Sequence, residues 1–187
     1  LEAKGFKCFE FDQSKNKIND DVEIQIVKHD FYDSSISIQT PDTKILNLND
    51  CPLRDISEIK KFKKKYGSFD ILLTQFSYAA WKGGKNGKAI RENAAKEKLL
   101  DISNQTKILD CKKVIPFASY IYFSNKLNYY MNDSVNTPQE VYSYLTKNLL
   151  SPIIMRPGEK QQINQLKQDK SSLEFWQEKF EFKNENK

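Results

Sequence analysis

The chain has 187 residues, enough for one ordinary core and too few to argue for two. Hydrophobic residues make up 39% and aromatics 12%, a globular composition that excludes disorder for all but the last stretch. The net charge of +5 is modest, with 30 basic against 25 acidic residues, and no apolar run approaches the ~20 residues of a membrane span.

The first half reads as strands. Leu1 to Lys4 looks like the end of a helix with Gly5 as its C′ residue, so the domain is expected to begin upstream of these residues. Phe6 to Phe11 is a candidate strand, and the polar stretch Asp12 to Asp21 a turn. Val22 to Val27 alternates apolar and polar residues, and Ser35 to Gln39 and Lys44 to Leu48 complete the set. Thr40-Pro41-Asp42-Thr43 supplies the Pro and Asp of a tight hairpin turn between the last two. The expectation is an antiparallel meander.

The second half alternates helices with single apolar strands. Ile56 to Tyr66 reads as a helix closed by Gly67, Phe69 to Leu73 as a buried strand, and Ala89 to Gln105 as a longer helix with Leu99, Leu100 and Ile102 inward. Lys113 to Pro116 is another strand, and Thr137 caps a helix opening at Pro138 with Val141, Tyr144 and Leu145 buried. Strand, helix, strand implies parallel β-α-β packing. From Glu159 onward Leu173, Phe175, Trp176 and Phe180 are the only anchors of a polar amphipathic tail. The expected division is therefore 1–158 and 159–187.

The densest charge run, Lys60-Lys61-Phe62-Lys63-Lys64-Lys65, follows Asp55 and Glu58 at helical spacing, as a solvated helix face does. No Arg cluster or stacking aromatics accompany it, so nucleic acid is not an expected partner. Cys8, Cys51 and Cys111 form no C-x-x-C pair and follow no secretory signal, which reads as reduced thiols in a cytoplasmic protein. Cys51 could serve as a soft ligand or nucleophile, but the single histidine leaves no second base, and a buried structural thiol is preferred. Gly83-Gly84-Lys85-Asn86-Gly87-Lys88 lacks the phosphate-loop pattern. It is read as a simple surface loop, with a mobile basic loop beside the cleft that contacts an anionic group as the alternative.

Two strand ends carry residues with ligand chemistry: His29-Asp30-Phe31-Tyr32-Asp33-Ser34-Ser35, and Ile45-Leu46-Asn47-Leu48-Asn49-Asp50-Cys51. A histidine, a strand, a Pro-Asp hairpin, an apolar strand and a closing aspartate, in that order, resemble the third and fourth metal-binding motifs of the metallo-β-lactamase superfamily. Downstream, Asp70-Ile71-Leu72-Leu73-Thr74-Gln75-Phe76-Ser77-Tyr78-Ala79-Ala80-Trp81 resembles a segment of CMP-N-acetylneuraminate hydroxylases. So do Val114 to Tyr120 and Asn132 to Pro138, in the same order. The likeness, shared with lactonase-like relatives, runs from about Val22 to Gly158.

This resemblance implies an α/β fold of the αββα-sandwich type, here without its N-terminal part. It implies a divalent metal, Zn foremost, with Fe or Mn as alternatives, ligated by His29 and Asp50, and Asp50 as the catalytic carboxylate. Carboxylate and imidazole ligands leave a coordination position for a water whose pKa the metal lowers. Asp70, Gln75, Ser77, Trp81 and Ser119 are the expected substrate-binding residues, for an anionic or sugar-type small molecule. The implied reaction is hydrolysis of a phosphoester, lactone, amide or sugar-nucleotide bond. The family's HxHxDH motif is absent from these residues, as are the ligands of a Rieske cluster, so hydroxylase activity is not implied. The rival expectation is a non-catalytic half-domain that pairs with the N-terminal half of its domain, another chain or a second copy.

Overall fold

The computed structural model describes residues 2–29 and 32–185. Its centre is one six-stranded sheet whose spatial order follows the chain: β1 (Lys15–Lys17), β2 (Glu23–His29), β3 (Asp33–Gln39), β4 (Lys44–Asn49), β5 (Ile71–Gln75) and β6 (Lys113–Phe117). The first four pair antiparallel; β4, β5 and β6 run parallel. Parallel pairing needs long crossovers, and α1 (Ile56–Tyr66) and α2 (Lys88–Ile108) provide them. Ser151–Ile153 adds a parallel bridge beyond β6, through Val114 and Pro152.

Local chemistry accounts for several boundaries. The Thr40 N–H donates to the Thr43 carbonyl at 2.9 Å, closing the β3–β4 hairpin. Asp55 caps α1 by accepting from Ser57 N and Glu58 N, and Gly67 ends it at φ 80°, a region that L side chains rarely enter. α3 (Pro138–Lys147) opens with a capping box between Thr137 and Glu140. α4 (Lys170–Glu185) is docked by Trp176, whose ring stacks on Tyr120 at 4.1 Å and whose Nε1 donates to the Met155 carbonyl at 2.9 Å.

The two faces of the sheet differ. On one, Val27, Leu46, Leu48, Leu72 and Val114 are buried against Ile59 and Phe62 of α1, Ile102 of α2, and Val141 and Leu145 of α3. On the other, Ile24, Ile26, Ile36, Ile38, Ile45, Leu73, Ile115 and Phe117 share the pleat and are all only half-buried. The described residues contain this one sheet, so the second sheet of the expected sandwich is not among them.

Four expectations need correction. Phe6 to Phe11 forms no strand: Phe6, Phe9 and Phe11 are exposed, with no core to reach. The stretch read as a turn contains β1, which pairs with Glu23–Gln25 as a short charged edge strand, the Lys15–Glu23 ion pair at 2.9 Å spanning it. Leu100 is 53% exposed, because the inward stripe of α2 runs through Ala94, Ala95 and Ile102. The Gly83–Lys88 loop is pinned: buried Arg91 donates to the carbonyls of Gly84 (2.8 Å) and Lys85 (3.3 Å) while its fork grips Asp133 (2.6 and 2.7 Å). No described helix is long and apolar enough to cross a membrane.

Candidate functional site

The carboxyl ends of parallel strands are where α/β sheets open crevices for ligands. Here β4 ends in a register shift between Asn47 and Asn49, with Asn49 at φ 51°. The Asn49 Nδ2 donates to Asp50 Oδ1 at 2.7 Å. Asp50 is exposed and lines a cleft of about 280 Å³ together with Arg54, Gln75, Tyr78, Lys82 and Lys98. Three segments meet there: the β4–α1 connection, the end of β5 with its following loop, and the middle of α2.

Lys98 is the most perturbed of these groups. Its ammonium donates to Gln75 Oε1, and burial lowers it to about 8, with Arg54 and Lys82 adding repulsion and Asp101 and Asp50 opposing. Arg54 lies 3.6 Å from Asp101, one turn along α2 from Lys98. Burial raises Asp101, with Arg54 and Lys98 acting against that rise. Tyr78 is pushed up to about 12 by burial, and its hydroxyl donates to the Met131 carbonyl at 2.5 Å, so it walls the cleft as a neutral phenol.

The expected site residues separate. Asp50 and Gln75 are brought to the same cleft. Trp81 lies between the lining residues Ala80 and Lys82 and is 70% exposed. Asp70 sits at the opposite end of β5, accepting from the Lys44 N–H (2.8 Å) and pairing with Lys112 (2.7 Å); the Lys112 hydrogen bond, then that of Lys44, holds its carboxyl below the usual range. Ser77 and Ser119 are buried braces. Ser119 Oγ donates to the Ser77 carbonyl (3.0 Å) and accepts from Phe76 N (3.3 Å), while Ser77 Oγ accepts from Asn136 N (3.0 Å). Cys51 is buried and its thiol is pushed up to about 11, chiefly by burial, then by Asp33 and Asp50.

His29 ends β2 opposite Asp33. Its Nε2 is 2.7 Å from Ser35 Oγ and its ring stacks on Phe62 at 5.5 Å and 14°, which holds it on the helix-covered side. Asp30 and Phe31 of that motif lie outside the described residues. Among the described residues no three His, Cys, Asp or Glu side chains converge as metal ligands, so the described residues do not by themselves fit a two-metal centre. Sequence reasoning missed Arg54, Lys82 and Lys98, which stand in no recognisable spacing.

No protein-family model matches the chain, and no curated protein matches it by sequence. Among solved structures it is similar to a mutant of the CmlA beta-hydroxylase at 11% identity and a TM-score of 0.47, over 78% of this chain and 31% of that one. Against CmlA from Streptomyces venezuelae, described as a diiron beta-hydroxylase, identity is 10% and the TM-score 0.41, over 75% and 30%. A protein of unknown function from Enterococcus faecalis aligns at 14% and 0.30, over 90% and 42%. The chain spans less than a third of the two hydroxylase chains.

Proposed function

We propose that the chain forms the cleft-bearing part of a metal-dependent, hydrolase-like enzyme on a metallo-β-lactamase-like fold. Its substrate would be a small anionic or sugar-type molecule bearing a phosphoester, lactone, amide or sugar-nucleotide bond. The observation that carries this is the meeting of Asp50, Gln75 and Lys98, from three elements, at the carboxyl ends of β4 and β5. The metal part, with Zn, Fe or Mn, needs ligands beyond the described residues, since among these Asp50 has no converging partner set. Elemental analysis of the protein purified with any polypeptide bound to it tests the assignment: stoichiometric metal that is lost in Asp50→Ala supports it, and metal that survives Asp50→Ala removes Asp50 from it.

The isoleucine-rich open face favours a second reading, a catalytically inactive half-domain that pairs through that face with another chain or a second copy. It requires a metal-free chain whose mass in solution exceeds that of one copy. The double variant Ile36→Lys, Ile38→Lys should then return it to a single copy.

A further inference from the structure

The cleft carries more positive charge than its one carboxylate balances. Arg54, Lys82 and Lys98 line it against Asp50 alone. Arg54 is partly neutralised by Asp101 at 3.6 Å. Lys98 has no carboxylate within ion-pairing distance among the described residues, and its head meets the neutral amide oxygen of Gln75. A half-buried ammonium that has lost water and gained only an amide acceptor is incompletely compensated. An anion entering the cleft supplies the missing counter-charge, at the strand ends where a ligand has room.

We propose that Arg54, Lys82 and Lys98 form a binding site for the oxyanion of a small ligand, a phosphate or carboxylate group. Arg54 presents the planar fork that matches two oxygens of such a group, and the two ammonium groups act as point charges beside it. The inference deepens the enzyme reading by naming the substrate group that the cleft holds, and rests on that reading only for the use of the cleft. The burial that lowers Lys98 is consistent with it, since a bound anion would draw the proton back.

The test is a titration of the chelator-treated, metal-free chain with inorganic phosphate, and separately with acetate, followed by backbone amide NMR. Saturable shifts are expected at Arg54, Ala80, Lys82 and Lys98, with phosphate tighter if the group is a phosphoryl and acetate tighter if it is a carboxylate. Lys98→Met, which keeps the aliphatic stem, should weaken binding about tenfold, equivalent to about 1.4 kcal/mol. Lys60→Met, on the exposed side of α1, should leave it unchanged. Absence of saturable shifts at these amides, or equal effects of Lys98→Met and Lys60→Met, overturns the site. Binding by metal-free protein stands even if the metal reading fails. Metal lost in Asp50→Ala without anion binding sinks this inference alone.

Discussion

Helix α2 carries two cations about two turns apart, Arg91 fully buried and Lys98 half-buried, and they are treated in opposite ways. Arg91 is fully buried and makes four hydrogen bonds, two to the Asp133 carboxylate and two to loop carbonyls, with the Tyr130 ring 5.0 Å away. Lys98 opens onto the cleft with one amide oxygen for company. A well-paired buried charge fixes structure, here the Gly83–Lys88 loop that follows the cleft-lining Lys82. An unsaturated one is a site waiting for a counter-ion.

The contrast can be broken in four ways, of decreasing effect. Arg91→Met strands the Asp133 carboxylate and frees the loop, and should cost about 2–4 kcal/mol in urea unfolding, below the fully buried limit because Asp133 is partly exposed. A loss no larger than that of a surface substitution would remove the clasp. Asp133→Asn leaves Arg91 a weaker acceptor and should cost about 1–2 kcal/mol by the same measurement.

Lys98→Met should leave stability at neutral pH unchanged or slightly raised, because it deletes a poorly compensated charge. Its signature lies in the pH profile. The folded value of Lys98, about 8, is below its ordinary 10.5, so between these pH values the unfolded chain binds the extra proton. The stability of the parent chain should therefore rise with pH through this window relative to Lys98→Met. Parallel profiles would show that Lys98 is not desolvated in solution. Smallest is Glu92→Gln, which breaks the exposed Lys88–Glu92 pair at 3.7 Å on the same helix and should cost about 0.3–0.5 kcal/mol, vanishing in high salt.

What the sequence made readable was governed by local chemistry. The Thr40–Thr43 hairpin, the end of α1 at Gly67 and the Thr137 cap of α3 are each encoded within four residues of where they act, and the structure has all three. The Phe6–Phe11 segment misled because alternation records a potential face, and only tertiary packing decides whether something covers it. The site was less legible. Asp50 and Asp70 both flank apolar strands, but β4 and β5 run parallel, so a residue after one strand and a residue before the next fall at opposite ends of the sheet. Gln75 reaches Asp50 for the same reason. Lys98 joins them through the crossover, which no spacing in the chain announces.

The two tryptophans of the chain divide the molecule optically. Trp176 is packed flat on Tyr120 where α4 meets the residues after β6, while Trp81 stands in solvent at the rim of the cleft. Their emission should separate by wavelength, the shielded indole to the blue and the solvated one to the red. One spectrum then reports α4 undocking and cleft occupancy as distinct events, with no label attached.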